Sequence, residues 1–341
     1  MTHDVKKVFI AGGTGFIGYH AAQLFLKQGC EIDTIALKDE IDLSAKLFDT
    51  IPIDFGNLFT MNQNEIIALL SKKPYDTFLY ALGPDDRFVP SAPAYSFFHE
   101  RLVVQAYKIC QAAKLAGIRR CIVLNSYFSH FDKLYKHDLA KHHPYIRARV
   151  EQEIALFELD EIGAFDVMML ELPFIFGTMP GRKPLWREHF LSFFDNRKTL
   201  AFPCGGGTAV ISVEGVAQAI VACAYHGEGR TCYPIGMMNM TYRHIIETMM
   251  HTIHDPRRFV GVSPWIAGLF AAKIDYQYRR LGKESGLNHQ RLMTQVLNKS
   301  FYIDPDFMME RLGFEKLGFD GGKAIDESIA ETMKACYPER F

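Results

Sequence analysis

The chain has 341 residues, of which 48% are hydrophobic, enough for one large domain or two small ones around a sizeable core. Its formal net charge is −1, so the overall charge gives no footprint for nucleic acid or an anionic membrane. Seven scattered cysteines form no C-x-x-C pair, and the first residues lack the apolar core of a signal peptide. A reduced cytoplasmic protein is therefore expected, without a disulfide framework or zinc site.

The first element sets the frame. An apolar, β-prone run, Val8-Phe9-Ile10-Ala11, feeds into Gly12-x-x-Gly15-x-x-Gly18. An amphipathic pattern follows at once through Ala21, Ala22, Leu24 and Phe25. This predicts a strand over 7–11, a glycine loop and a helix over 16–28 that Gly29 ends. In a dinucleotide site the first glycine permits the tight turn. The second lets the backbone approach a pyrophosphate, and the third lets helix and strand pack closely. The anion would rest on the helix N-terminus, where free N–H groups and the helix dipole favour negative charge.

A second strand is expected over 32–37. The acid that often ends this strand and accepts from a ribose 2′-OH is missing, and Lys38 stands there instead. A 2′-phosphate would pair with Lys38, so NADP(H) is favoured over NAD(H), although Asp39 or Glu40 keeps NAD(H) open. The third strand, 50–55, places Asp54 at the carboxyl edge of the sheet, where ligands of open α/β sheets bind. A helix over 62–72 and a strand over 77–82 follow. The loop after Gly83-Pro84 then carries Asp85, Asp86 and Arg87 across the same edge. A long helix is predicted over 94–116, a strand over 121–124 leading to Asn125-Ser126-Tyr127, and a helix opened by Pro144. Tyr145 and Arg149 are four apart and share a face of that helix. A strand over 165–172 is broken by Pro173 and closed at Gly177. Strand–helix alternation of this kind predicts a parallel sheet with helices on both faces.

Beyond residue 178 the alternation loosens. Helices are predicted around 185–196, over 214–225 and over 242–253, the last capped by Thr241. Residues 262–300 read as helical with breaks at Gly282 and Gly286, and helices over 306–312 and 322–336 end the chain. The apolar run 262–272 contains Pro264 and is too short to span a bilayer; a buried helix is expected there rather than one that skims a membrane. His251, His254 and Glu247 share a helix face, but nothing completes a metal set, so no metal site is expected. Large apolar residues, among them Phe174, Phe176, Trp186, Phe190, Trp265 and Phe270, gather around the expected pocket.

Several of these pieces together resemble the extended short-chain dehydrogenase/reductase family, which includes nucleotide-sugar epimerases and dehydratases, hydroxysteroid dehydrogenases and flavonoid-type reductases. They are the glycine loop with Thr14, Asp54 after the third strand, Ala81-Leu82 after the fourth, Asn125-Ser126 after the fifth, Tyr145, and Leu172-Pro173-Phe174-Ile175-Phe176-Gly177. The resemblance covers residues 5–177 and runs more loosely through 211–217. It implies a Rossmann-type doubly wound parallel sheet with a smaller, mostly helical C-terminal substrate domain. The dinucleotide domain would be 1–177 plus 209–226, and the substrate domain 178–208 plus 227–341.

The family mechanism, carried over, makes Tyr145 the general acid/base. Ser126 would be the hydrogen-bond partner of the same substrate oxygen, and Arg149 would stand where relatives have lysine. The cofactor residues implied are Gly12, Thr14, Gly15, Phe16, Ile17, Gly18, Lys38, Asp54, Phe55, Ala81, Leu82, Pro173, Phe174 and Ile175. Arginine keeps the charge but is larger, planar and never deprotonated, so proton relay through this position is put in doubt. Leu102 falls near the structural asparagine of many relatives.

The branch within the family is marked by what is missing. Nucleotide-sugar enzymes tend to carry an asparagine where Phe174 stands and an arginine in the segment 205–210, and neither is present. Arg182, Lys183 and Arg187 offer charge from another loop. The leading expectation is thus an NAD(P)-dependent oxidoreductase on a small apolar, aromatic or steroid-like carbonyl or alcohol. The alternatives are a nucleotide-sugar epimerase or dehydratase using bound NAD, and a non-catalytic dinucleotide-sensing regulator. Relatives often pair through helices matching 94–116 and 145–160, which makes a homodimer an expectation.

Overall fold

The computed structural model describes residues 3–38, 45–136, 138–194, 197–203 and 205–341. The first half runs β1 (Lys7–Ala11), α1 (Phe16–Lys27), β2 (Glu31–Ala36), β3 (Ile53–Phe55), α2 (Gln63–Leu70), β4 (Thr77–Tyr80), α3 (Ala94–His99), α4 (Gln105–Leu115) and β5 (Arg120–Ser126). It continues through α5 (Tyr127–Leu134), α6 (Pro144–Phe157), β6 (Asp166–Leu172) and β7 (Phe174–Phe176). The second half holds α7 (Trp186–His189), β8 (Thr199–Pro203), β9 (Gly207–Ser212), α8 (Val213–His226), β10 (Thr231–Pro234), β11 (Met238–Thr241), α9 (Tyr242–Thr252) and β12 (Arg258–Val262). It ends with α10 (Pro264–Arg280), α11 (His289–Gln295), β13 (Ser300–Phe301), α12 (Pro305–Leu312), α13 (Phe314–Leu317) and α14 (Ile325–Cys336).

Seven strands form one sheet in the order β3-β2-β1-β4-β5-β6-β10, and every neighbouring pair is parallel. Alternation along each strand explains why both faces are covered. Val8 and Ile10 point to the layer of α1 and α8, whereas Phe9 and Ala11 point to the layer of α2 and α4. Fully buried side chains such as Phe9, Phe25 and Phe78 each contribute about 1.5–3 kcal/mol of transfer free energy. The strand order reverses between β1 and β4, and the crevice at their carboxyl ends is where such sheets bind ligands. This is the expected Rossmann-type class.

Four local differences from the sequence reading have physical causes. The helix expected over 94–116 is continuous, but Glu100–Val104 widens into a π-helical turn that seats the buried Leu102 against Gly83. No element is predicted between Tyr127 and Pro144, yet α5 forms there, with the Ser126 hydroxyl accepting from the Phe128 N–H as its N-cap. The domain limits shift as well. Residues 231–234 were placed in the substrate part, yet β10 pairs with β6 and closes the main sheet. Residues 305–317 were placed there too, yet Met308, Leu312 and Phe314 pack into the same core as Ile220 of α8. The substrate part carries β8, β11, β12 and β13 beside its helices. Finally, α10 is not a buried helix. Only Gly268 and Ala271 are buried on it, because the body packs against a single narrow face.

Candidate active site

The glycine loop forms between β1 and α1 as its residue types require. Gly12 has φ +96°, and a Cβ there would lie 2.6 Å from the Ala81 carbonyl oxygen at the end of β4. A side chain at Gly18 would meet the Gly12 carbonyl. Gly15 is the N-cap of α1 in extended conformation, and among the described residues no side-chain cap bonds the first turn of that helix. Thr34 ties the loop to the sheet, accepting from the Gly13 N–H at 3.0 Å and donating to the Ile10 carbonyl at 2.6 Å. The result is a glycine cradle against a helix whose leading amides lack side-chain acceptors. This geometry fits the pyrophosphate of a dinucleotide. The Arg182 guanidinium lies 4.0 Å from the position a Gly15 Cβ would take, which brings a cation over the loop.

Tyr145 enters from α6, and a continuous network fixes its partner. The Arg149 Nε donates to the Tyr145 hydroxyl at 3.0 Å. One terminal nitrogen of Arg149 donates to the Leu124 carbonyl at 3.1 Å and to Gln152 Oε1 at 2.9 Å. Asn125 braces the same helix, donating to the Arg149 carbonyl at 3.2 Å while its Oδ1 accepts from the Ser126 N–H at 2.6 Å. Burial raises the Tyr145 pKa above the ordinary phenol value, with the Arg149 charge opposing it. Tyr145 is thus a neutral phenol near pH 7. Arg149 occupies an acceptor position of its oxygen, and its own proton is left for another acceptor. The Ser126 oxygen already accepts from Phe128, so that hydroxyl also keeps its proton for a ligand.

Both groups open into a cavity of about 1110 Å³. Its aromatic wall is built around Phe174, which meets Trp186 edge-on at 5.5 Å and Tyr242 at 6.0 Å. Asp85, Asp86 and Arg87 line it from the loop after β4. Arg87 Nε holds Asp85 at 2.8 Å. For Asp86, burial, and then the charge of Asp85, push the pKa up to about 6 against the opposing charges of Arg87 and Arg149.

The structure brings many of the expected residues to this cavity and leaves others elsewhere. Ser126, Tyr145, Arg149, Phe16, Ile17, Ala81, Leu82, Pro173, Phe174 and Ile175 line it. Gly12, Thr14 and Gly15 lie in the β1–α1 loop, and Gly18 is buried in the first turn of α1. Lys38 is exposed just past the end of β2, and Phe55 is exposed at the end of β3. Asp54 accepts from Lys72 Nζ at 2.6 Å. Asp39 and Glu40 lie outside the described residues. Of the three cations offered by the loop after β7, Arg182 and Lys183 line the cavity, whereas Arg187 stacks over the Tyr337 ring at 4.6 Å. Gln152, Tyr127 and Tyr242 were not singled out from sequence. The spacing of Gln152, three residues after Arg149 on the same helix, was the available signal.

Among the described residues, one set of groups close enough to hold an ion lies away from this cavity, at Glu153, Glu171 and Cys232. The Lys133 ammonium already stands between the carboxylates, 2.9 Å from Glu153 and 3.6 Å from Glu171.

A parallel sheet with a glycine cradle at its switch point and a buried tyrosine–cation pair beside it defines a dinucleotide-dependent enzyme class. The chain belongs to the NAD dependent epimerase/dehydratase family, whose model matches residues 8–236. Solved structures share the fold across nearly the whole length. A protein designated gox2253 is 15% identical with a TM-score of 0.73, covering 99% of this chain and 98% of that one. UDP-glucose 4-epimerase from Bifidobacterium longum, solved with NAD+ and UDP, is 12% identical with a TM-score of 0.69, covering 98% and 100%. TunA, an NAD dependent-NDP-hexosamine 5,6-dehydratase of tunicamycin biosynthesis, is 13% identical with a TM-score of 0.65, covering 97% of both chains. No curated protein sequence matches the chain.

Proposed function

We propose that this chain is a nicotinamide-dinucleotide-dependent carbonyl reductase or alcohol dehydrogenase, acting on an apolar, aromatic or steroid-like substrate with Tyr145 as the proton donor and acceptor. The observation that carries this reading is the neutral, buried Tyr145 hydroxyl in an apolar cavity, with Arg149 Nε at 3.0 Å and Ser126 on the same wall. When bound, the nicotinamide supplies or receives the hydride. The residues of the chain do the rest. The Gly12–Gly18 loop and the first amides of α1 hold the pyrophosphate. Tyr145 gives its proton to a carbonyl oxygen that Ser126 also contacts. Arg149 then stabilises the phenolate left behind. The retention of Ser126 and Tyr145 together in the cavity argues against a sensor without catalysis.

NADP(H) is the cofactor we favour. The exposed Lys38 follows β2, and the one acid in the middle of that strand, Asp33, is held by Lys73 at 2.7 Å and the Tyr75 hydroxyl at 2.7 Å. Asp33 is therefore committed within the sheet and unable to take a ribose hydroxyl. A larger thermal shift with NADP(H) than with NAD(H) is expected; the reverse order overturns the preference. A cytoplasmic setting and a homodimer through α4 and α6, which leave Leu115 and Ile154 exposed, complete the reading.

A second reading, which the family match and the nucleotide-sugar enzymes among the similar solved structures support better than the first, is a nucleotide-sugar epimerase or dehydratase that returns the hydride to its substrate. Family membership supports it, and so do Arg182, Lys183, Arg197 and Lys273 on the cavity wall, donors of the kind a diphosphate needs. Net cofactor turnover separates the two. Steady NAD(P)H consumption with aromatic ketones or steroids supports the first. Tightly retained NAD, with conversion of nucleotide sugars and no net consumption, supports the second. In either case Tyr145→Phe should lower kcat by about 10²–10⁴-fold while leaving the dinucleotide thermal shift in place. An unchanged kcat removes Tyr145 from the chemistry.

A further inference from the structure

Helix α10 presents two unlike faces. Inward, Ala267, Ala271, Ile274 and Tyr278 line the cavity, and Ile266, Phe270 and Lys273 stand at its mouth. Outward, Trp265 is 74% exposed and Leu269 71%, and the two apolar residues at the mouth, Ile266 at 51% and Phe270 at 77%, are exposed beside them. The spacing i, i+1, i+4, i+5 puts these four on one continuous patch, about a turn and a half long. Arg280, three turns beyond Leu269, continues the same face and is exposed. Arg279 and Lys283 flank it, also exposed.

The acids nearby are committed elsewhere. Asp275, the only acid of the helix, bonds the His289 ring at 2.7 Å and accepts from the His289 and Gln290 backbone N–H groups. Glu284 accepts from the Ala94 N–H at 2.7 Å. The outward face is therefore apolar at its start and cationic toward its end, on a chain whose net charge is −1.

We propose that α10 docks this protein onto an anionic phospholipid surface, lying in the plane of the interface. Trp265, Ile266, Leu269 and Phe270 enter the boundary between headgroups and acyl chains, where an indole is favoured. Arg279, Arg280 and Lys283 extend their stems along the apolar surface and place their charges at the phosphates. Charge complementarity selects this occupant over a second copy of the chain, whose own α10 offers cations to meet these cations. Among the described residues no helix is long and apolar enough to cross a membrane, so the contact is interfacial.

The test uses the full chain with vesicles of phosphatidylcholine alone and of phosphatidylcholine mixed with phosphatidylglycerol. Co-sedimentation should be at least ~10-fold stronger with the anionic vesicles at low salt and should weaken as salt is added. Tryptophan emission should shift to the blue on binding, and Trp265→Phe should abolish the shift, because the other tryptophan, Trp186, is anchored inside by its Nε1–H to the Ile175 carbonyl at 3.0 Å. The double variant Trp265→Ser, Leu269→Ser should lose binding to both vesicle types. Arg279→Glu with Arg280→Glu should lose the lipid preference. An unchanged thermal midpoint in these variants shows that folding is intact. Vesicle binding is read without turnover, so its outcome is independent of the reaction proposed above. The proposal is overturned if the wild type ignores anionic vesicles, if the variants bind as well as wild type, or if the serine variant instead splits a dimer in sedimentation equilibrium.

Discussion

The two sides of the cavity are built by different rules. On the sheet side, strand ends bring groups that are already bonded to one another: Gly12 against Ala81, Thr34 across β1 and β2, Arg149 among Tyr145, Leu124 and Gln152. On the far side, Phe174, Trp186, Tyr242 and the inner face of α10 come from four separated segments and meet mainly through ring and aliphatic contact. The first side tolerates almost no displacement, because backbone closeness and directional bonds define it. The second is defined by volume and polarity, which many sequences satisfy. A fixed reaction centre facing an adaptable wall is how one fold accepts different substrates while keeping one chemistry.

The largest effects should therefore come from the sheet side. Gly12→Ala forces a Cβ into the Ala81 carbonyl at 2.6 Å and a φ of +96° on a residue with a side chain. Strain of about 1–3 kcal/mol adds to displacement of the β4 end, and the dinucleotide thermal shift should disappear. Gly29→Ala supplies the control. Its φ is +81°, but a Cβ there meets nothing within 4 Å. It should lower the melting temperature and leave dinucleotide binding intact. Equal loss of binding in both variants would mean that general destabilisation, not the cradle, explains the Gly12 result.

What was legible in the sequence follows the same division. The cradle could be read from Gly12, Gly15 and Gly18, because a positive φ and a close backbone approach restrict the residue type almost to glycine. The Tyr145/Arg149 pair could be read because helix periodicity fixes which residues are neighbours. Gln152 was missed although the same periodicity reaches it. The helix after Ser126 was missed because its signal is a serine cap, which serves loops equally well. The placement of β10 and of α12 was hidden because both are short, and only tertiary pairing decides which core they join. The exposure of α10 was misjudged for a related reason. An apolar run reports affinity for an apolar surrounding, and it does not say whether that surrounding is the protein's own core.

Arg149 offers a way to sharpen the comparison on the sheet side. Its Nε holds the Tyr145 oxygen, and its charge lowers a phenol pKa that burial raises. Arg149→Met removes the opposing charge, so the pKa moves further up. In the reductase reading proposed above, reduction would use the protonated phenol, which stays dominant at neutral pH, so this direction should fall only through lost positioning, by about 10-fold. Oxidation in that reading would need the phenolate, whose population at fixed pH drops tenfold for each unit the pKa rises. The oxidation rate should thus fall more than the reduction rate, measured as kcat in each direction at one pH. Equal losses would indicate that Arg149 only positions the tyrosine. Arg149→Lys keeps the charge but has a single nitrogen to divide among the hydroxyl, Leu124 and Gln152, so it should recover part of the oxidation rate.

The smallest effect, and the one closest to the boundary between the two sides, concerns Asp86. It lines the cavity beside an Asp85 already bonded to Arg87, and burial with the neighbouring charge pushes its pKa up to about 6. An unfolded aspartate titrates near ~3.9, so between about pH 4 and pH 6 the folded chain holds a proton that the unfolded chain has released. Stability contributed by this group is present below that window and declines as pH rises through it, by about 1–2 kcal/mol once solvent near the carboxyl is allowed for. Asp86→Asn should flatten the pH dependence of the unfolding free energy between pH 4 and pH 6. It should also remove any limb near pH 6 from the kcat/KM profile, because Asp86 faces the same space as Tyr145. A limb that persists in Asp86→Asn would assign it to another group. A limb lost with an unchanged stability slope would show that the Asp86 charge is felt by the substrate and not by the fold.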